Sequence, residues 1–322
     1  MIKIIYRNKH QGFIELNNLD EISDIIADKA NLLWLDLDSP DLDELNKVAF
    51  EFDFHPLAIE DAAMAHVRPK VNEYQNYYFV VFYSILFESK LSQINLREIS
   101  MFLGENYLVT VHTQAIPELT EAKNRWEKNL QEIERGIGVL LYSLIDTLVD
   151  NYFPVVDTLS DMIEDLEEDL FAAKSKTVIS SLLKIKRNLI QMRRVVAPER
   201  DVLNVLLRRE NPIFSQRTLE YFQDIYDHII RITDAIDNYR DLLSSTLDAN
   251  LSVVSNDLNK VMRTMTAASI ILMTDSLLAG IYGMNFENMP ELRMEYGYFG
   301  LIFVMAAISS SLLYFFKKRG WF

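Results

Sequence analysis

The last third of the chain carries a polar pattern on a helical spacing. Steps of alternately four and three residues from position 248 fall on Asp248, Ser252, Ser255, Asn259, Met262, Thr266, Ser269, Met273, Ser276 and Gly280, each polar, small or a methionine. A mean repeat of about 3.5 residues keeps such side chains on one seam between helices that lie side by side. From Thr264 to Tyr282 the seam crosses 19 residues with one charge, Asp275, close to the ~20 residues that span a bilayer. A polar stripe at that depth is costly against lipid and is predicted to face protein or water. Small and hydroxyl residues at this spacing also serve ordinary packing between membrane helices. A second apolar run, 296–316, follows a short loop, and Lys317-Lys318-Arg319-Gly320-Trp321-Phe322 closes the chain.

Upstream the pattern changes. Ile2 to Tyr6, Gly12 to Leu16 and Leu32 to Asp38 are short apolar or alternating runs that predict strands, and Ser39-Pro40 offers an N-cap and first-turn proline for a helix through Asp41 to Phe52. His55-Pro56 opens a further helix, Tyr77 to Phe87 reads as a strand, and Ile99 to Leu103 with Tyr107 to His112 reads as a hairpin across Gly104-Glu105-Asn106. After Pro117 the pattern is helical, over about 118–134, 138–171 and 175–209, with Pro154 as an expected kink and Pro198 as another kink or break. From 215 to 282 there is no proline and one glycine, Gly280. As a single helix this stretch measures ~100 Å at ~1.5 Å per residue, too long for one compact monomer. It predicts a stalk whose copies meet along the seam. The expected division is an α/β domain with a helical hairpin over 1–214, a stalk over 215–263, a first span over 264–282, a loop over 283–295, a second span over 296–316 and a basic tail over 317–322.

Charge sharpens this picture. The net charge is −15, and residues 1–258, with 26 Lys/Arg against 43 Asp/Glu, carry −17. Such a domain argues against nucleic acid as a partner, which selects basic surfaces, and suits one that handles cations. With no cysteine in the chain, neither a disulfide framework nor a thiolate metal site can form. The N-terminus, Met1-Ile2-Lys3-Ile4-Ile5-Tyr6-Arg7, lacks the pattern of a signal peptide. Lys260 and Arg263 before the first span, with Lys317, Lys318 and Arg319 after the second, place both termini in the cytoplasm by the positive-inside rule. The loop bearing Glu287, Glu291 and Glu295 against Arg293 is then external.

Three acidic groupings invite a metal reading. Asp36, Asp38, Asp41 and Asp43 resemble a calcium loop, but the twelfth position from Asp36 is Lys47, where such a loop needs Glu. His55, Glu60 and Asp61 fit a helix start better than a metal group, since acidic side chains there complement the dipole. Asp161, Glu164, Asp165, Glu167, Glu168 and Asp169 form either a solvated helix face or a surface that concentrates cations. No glycine loop for phosphate, and no set of nucleophile, base and oxyanion donors, points to an enzyme.

Tyr282-Gly283-Met284-Asn285, followed by Phe286-Glu287-Asn288-Met289-Pro290-Glu291-Leu292, a second span and a basic tail, closely resembles the CorA magnesium transporter family. There, Tyr-Gly-Met-Asn and an acidic Met-Pro-Glu-Leu loop join the only two membrane helices. The segment from His55 to Ala62 also resembles the corresponding part of that family's cytoplasmic domain. The resemblance implies a funnel-shaped homopentamer in the plasma (inner) membrane, first spans lining the pore and second spans forming the outer ring.

It further implies Mg²⁺ as cargo, with Co²⁺ and Ni²⁺ as further candidates, and no organic cofactor. A filter would be formed by Tyr282, Gly283, Met284 and Asn285, with Glu287 and Glu291 gathering cations outside. Asn259 and Asp248 would offer oxygens at the inner end of the seam, and Met262 and Met273 apolar constrictions. Family members are inhibited by cytoplasmic Mg²⁺ held between subunits; the matching positions here are Glu88 and Asp224, with Asp227 close by in sequence. Glu88 is longer than the aspartate expected there. Asp275 stands where relatives carry an apolar residue, and reads either as a functional carboxyl or as a hydrogen-bonded one at a helix interface. Related zinc transporters tend to replace the methionine of Gly-Met-Asn, so Met284 favours Mg²⁺. A membrane-anchored cation sensor without conduction is the reading from a different class.

Overall fold

Period-two alternation in the first hundred residues becomes one mixed sheet. In the computed structural model, which describes residues 2–8, 12–16, 19–64, 67–133, 136–171, 175–208, 213–285, 289–290 and 294–321, the chain divides into two units, 1–244 and 245–322. In the first unit the strands are β1 (Ile2–Asn8), β2 (Gly12–Leu16), β3 (Leu32–Asp38), β4 (Lys70–Glu73), β5 (Tyr78–Glu88), β6 (Gln93–Leu103) and β7 (Tyr107–His112), in the order β2-β1-β3-β7-β6-β5-β4. Only β3 and β7 run parallel, with Leu33 beside Tyr107 and Asp38 beside His112. Residues 79–85 of β5 are all buried, as a central strand covered on both faces requires.

The helices are α1 (Ile22–Ala27), α2 (Leu42–Phe52), α3 (Pro56–Ala63), α4 (Glu118–Glu132), α5 (Ile137–Asp150), α6 (Tyr152–Phe171), α7 (Ser175–Arg208), α8 (Gln216–Tyr282) and α9 (Gly297–Lys318). Three details differ from expectation. The cap of α2 is Asp41, which accepts from Glu44 N–H at 2.7 Å while the Glu44 side chain accepts from Asp41 N–H at 3.2 Å. Ser39, at φ 50°, instead ties the end of β3 to the carbonyls of His112 and Thr113. A capping box satisfies two orphan donors, which a lone Ser39 cannot. Secondly, the helix expected over 138–171 breaks at Asn151, so Pro154 lies in the first turn of α6, where its missing N–H costs nothing. Asn151 donates its side-chain N–H to the Thr147 carbonyl at 2.9 Å. Thirdly, β6 begins six residues earlier than Ile99, because Gln93 to Glu98 complete the ladder with β5.

The run of α5 and α6, residues 137–170, holds a stretch apolar enough to pass for a membrane span, yet that stretch is 72 % buried in the first unit; it is core. Against it and α7 lies a closed ring of hydrogen bonds around Glu199, which is fully buried just after Pro198. Its carboxyl accepts from Tyr83 N–H at 3.0 Å, and the Tyr152 hydroxyl lies 2.5 Å from the Tyr83 carbonyl and 3.1 Å from Glu199 Oε1. A phenol has one proton to give. Spent on the carbonyl, it leaves Glu199 to donate its own, in keeping with burial pushing the Glu199 carboxyl well above its ordinary range.

The folded state therefore binds a proton that the unfolded chain releases, and stability falls as pH rises above about 4.5, the ordinary carboxyl value. Glu199→Gln keeps one donor and one acceptor without that cost. The variant is expected to match the parent near pH 4 and to gain ~1.4 kcal/mol per pH unit above it, until the folded carboxyl itself ionises. Thermal unfolding of both proteins across this range checks the divergence; parallel curves would show that Glu199 is ionised in the fold.

Candidate functional site

In the second unit the described helices are the distal part of α8 and α9. Of the apolar windows that mark them as candidate spans, only 6 % is buried in each. What burial there is falls on one stripe of α8. Ala267 is fully buried, and Ile271, Thr274, Asp275, Leu278 and Tyr282 are half-buried. The counterpart on α9 is Leu301, Met305, Ile308, Ser309 and Leu312, half-buried, with Phe316 buried.

The ten seam residues, Asp248 through Gly280, are all exposed on the single chain. Within the span, Ser269, Met273, Ser276 and Gly280 each stand two residues from a member of the buried stripe, about 200° around a helix of 3.6 residues per turn. This part of the seam thus points away from α9. Met262 and Met273, 65 % and 72 % exposed, are large apolar side chains that α9 does not cover, and an apolar surface of this extent marks an interaction face.

At its C-terminal end α8 closes on the expected filter. Gly283 N–H donates to the Ala279 carbonyl at 2.9 Å and Met284 N–H to Ile281 at 3.3 Å. A Cβ at Gly283 would lie 3.2 Å from the Ala279 carbonyl oxygen, so glycine lets the helix end with its backbone exposed. Gly283, Met284 and Asn285 are exposed, whereas Tyr282 belongs to the half-buried stripe. Glu287 and Glu291, with Arg293, lie outside the described residues. Glu295 is exposed. At the other end Gly320, at φ +69°, turns the tail so that Trp321 stacks on Phe316 at 5.0 Å, and Thr264 donates to the Trp321 carbonyl at 2.9 Å.

Asp275 meets a partner that the residue pattern did not supply: Ser309 of α9 donates to its Oδ2 at 2.8 Å. The only signal in the sequence was Ser309-Ser310-Ser311, three hydroxyls inside an apolar run.

The metal-site candidates of the first unit stand apart from one another in their partners. Glu88 ends β5, half-buried, and accepts from Asn95 at 3.1 Å. Asp224 is exposed on α8 with His228 at 3.8 Å, and Asp227 accepts from Gln223 at 3.2 Å. Among the described residues, no group of three or more His, Asp or Glu within one chain is arranged to hold a metal.

Other acidic residues have structural employment. Asp36 accepts from Thr110 at 2.5 Å and faces His112 Nε2 at 3.2 Å across the parallel strand pair. Burial pushes the His112 imidazole down, but the Asp36 bond and charge, with the Gln114 carbonyl, outweigh it and hold its pKa above the usual value. His55 caps α3 by accepting from Leu57 N–H at 3.2 Å, and Asp61 pairs with Lys70 at 2.5 Å. On α6, Asp161, Glu164, Asp165 and Glu168 are exposed while Ile163 and Leu170 are buried, a solvated face over an apolar one.

Residues 29–318 match the family described as CorA-like Mg²⁺ transporter protein. The chain is 37 % identical over 280 residues to the cobalt/magnesium transport protein CorA of Thermotoga maritima, covering 87 % of this chain and 80 % of that one. It is 33 % identical over 289 residues to a putative metal ion transporter of Bacillus subtilis, covering 90 % and 89 %. Among solved structures, the complete CorA magnesium transporter of Methanocaldococcus jannaschii superposes with a TM-score of 0.83 at 25 % identity, over 99 % of this chain and 98 % of that one.

Proposed function

Because this chain belongs to the CorA-like Mg²⁺ transporter family, we propose that it is a membrane channel for Mg²⁺, with Co²⁺ and Ni²⁺ as further cargo, built as a homopentamer around the seam of α8. The observation that carries this reading is that Ser269, Met273, Ser276 and Gly280 are exposed on the face of α8 opposite its buried stripe, continuing into exposed Gly283, Met284 and Asn285. One copy encloses nothing. Five copies of α8 enclose a path, with five copies of α9 outside.

Mg²⁺ is small, prefers six oxygens and sheds its waters reluctantly. A ring of Asn285 amide oxygens beside Gly283 carbonyls suits a hydrated ion held through its waters. Neutral oxygens bind weakly enough for the ion to leave, as conduction requires. Tyr282, half-buried on the stripe opposite the seam, braces this ring rather than lining it. Glu287 and Glu291 raise the local cation concentration outside. Within the span, Met273 and then Met262 present apolar rings that gate by dewetting, and Asn259 and Asp248 receive the ion beyond them. With both termini in the cytoplasm of a plasma membrane, a potential worth ~2.3 kcal/mol per charge per 100 mV drives a divalent cation inward. No organic cofactor and no catalytic step enters this scheme.

Closure by cytoplasmic Mg²⁺ falls to Glu88, Asp224 and Asp227. By the resemblance to the family, the ion is held between Glu88 of one copy and Asp224 of the next.

Two measurements test the reading. Native mass measurement in mild detergent is expected to give five copies, and a monomer that still transports would sink it. Purified protein in liposomes under an inside-negative potential is expected to take up Mg²⁺ in preference to Zn²⁺. Preference for Zn²⁺ would transfer the chain to the zinc branch, and binding without flux would make it a sensor.

A further inference from the structure

Asp275 is the one charged residue between Arg263 and Tyr282, and the scheme above gives it no task. It neighbours the seam residue Ser276 in sequence, yet its half-buried carboxyl is turned to α9, accepting from Ser309 at 2.8 Å through Oδ2 and 3.0 Å through Oδ1. Thr274, beside it, spends its hydroxyl on its own helix, at the Ile270 carbonyl, 2.8 Å away. Asp275 and Ser309 therefore make a side-chain bond between α8 and α9 at the depth of the bilayer; among the described residues, a further bond runs from Thr264 to the tail carbonyl of Trp321, at the opposite end of the span.

Apolar packing leaves the rotation of α8 undecided. Ile270, Leu272, Leu277 and Ile281 are exposed on its other faces, and lipid tails solvate any of them as well as α9 does. A hydroxyl and a carboxyl in hydrocarbon do not share that indifference, since each is expensive without a partner. We infer that Asp275 is a positioning residue for conduction: through Ser309 it sets the rotation of α8 about its axis and so aims Ser269, Met273, Ser276 and Gly280 at the path. The inference rests on the seam being that path. Its mechanism is the hydrogen bond and not the charge, because the carboxyl points away from the seam.

The chain has no cysteine, so each introduced thiol reports alone. In the full protein in liposomes at low Mg²⁺, single cysteines are placed at Met273 and Ser276 on the seam and at Leu272 and Ile281 on its flanks, and labelled with a small cationic methanethiosulfonate. In the parent, the seam positions are expected to react and the flanks not. Asp275→Asn keeps an acceptor for Ser309 and is expected to preserve that pattern. Asp275→Leu and Ser309→Ala each remove the bond; the ratio of seam to flank labelling is expected to fall by about three- to tenfold, the scale of one interhelical hydrogen bond in a membrane. The double variant is expected to fall no further.

A loss of packing alone would not rotate the pattern, and Asp275→Asn would not rescue it. Should Asp275→Leu assemble poorly, Ser309→Ala makes the same cut with little change of volume. An unchanged ratio in Ser309→Ala, or an Asn variant that behaves like Leu, overturns the positioning role while the path stands. Flank labelling equal to seam labelling in the parent overturns the path, and the positioning role with it.

Discussion

Asn285→Ala is expected to reduce Mg²⁺ uptake into liposomes at least ~100-fold while the assembly keeps its mass. The side chain follows the end of α8 and is exposed, so truncation disturbs no core and costs little stability. What it removes is an oxygen that orients the ion's water, once per subunit. A hydrogen bond to a charged group is worth ~1.5–3 kcal/mol, and each ~1.4 kcal/mol is a factor of ten, so the loss of two such contacts already exceeds the expected reduction. Asn285→Asp provides the contrast: it keeps the oxygens but adds charge, and should bind Mg²⁺ more tightly while passing it more slowly. Uptake by the Ala variant at the parental rate would remove Asn285 from the filter.

Replacing Glu88 and Asp224 together by Ala is expected to leave transport intact and to raise the Mg²⁺ concentration for half-closure at least ~10-fold. Like charges held close at a subunit boundary are costly unless a cation lies between them. Bound Mg²⁺ thus favours the arrangement in which they approach, and shifts a population between closed and open forms. Moving such an equilibrium from 1:99 to 99:1 takes ~5.5 kcal/mol of differential binding, which five boundaries share. Asp224→Lys opposite Glu88 supplies a fixed positive charge and is expected to hold the closed form without metal. If the double Ala protein closes over the parental Mg²⁺ range, the sensor lies elsewhere, and the exposed acidic face of α6 becomes the next place to cut.

Much of this molecule is periodic, and periodicity is legible. The strands β3 and β7, the unbroken α8, and α9 from Gly297 to Lys318 follow from spacing, from the absence of proline between residues 215 and 282 and from basic residues gathered at the ends of the spans. Tyr282 to Asn285 could be named because four residues at the end of a span, with an acidic loop after them, carry their own context. Local rules were less secure where two satisfied the same residues. Ser39 and Asp41 both qualify as caps, and only the reach of Glu44 decides for Asp41. Pro154 predicted a kink, but the chain breaks at Asn151, whose side chain takes up the Thr147 carbonyl.

By itself the sequence determined most of the strands and helices, the two apolar runs at the end of the chain, the seam and the motif at its end, because each is a matter of spacing along one chain; α1 and β4 it did not show. Only the tertiary structure decided partnerships between distant residues. It joined Asp275 to Ser309 across 34 positions and Glu199 to Tyr83 across 116. It also turned the apolar run of α5 and α6 into the core of a sheet domain, and set the seam from Ser269 to Gly280 opposite the stripe that meets α9. The reason is physical: which polar groups share a hydrogen bond, and which apolar face is covered, depends on what stands across the gap after the chain has folded, and no local spacing records that.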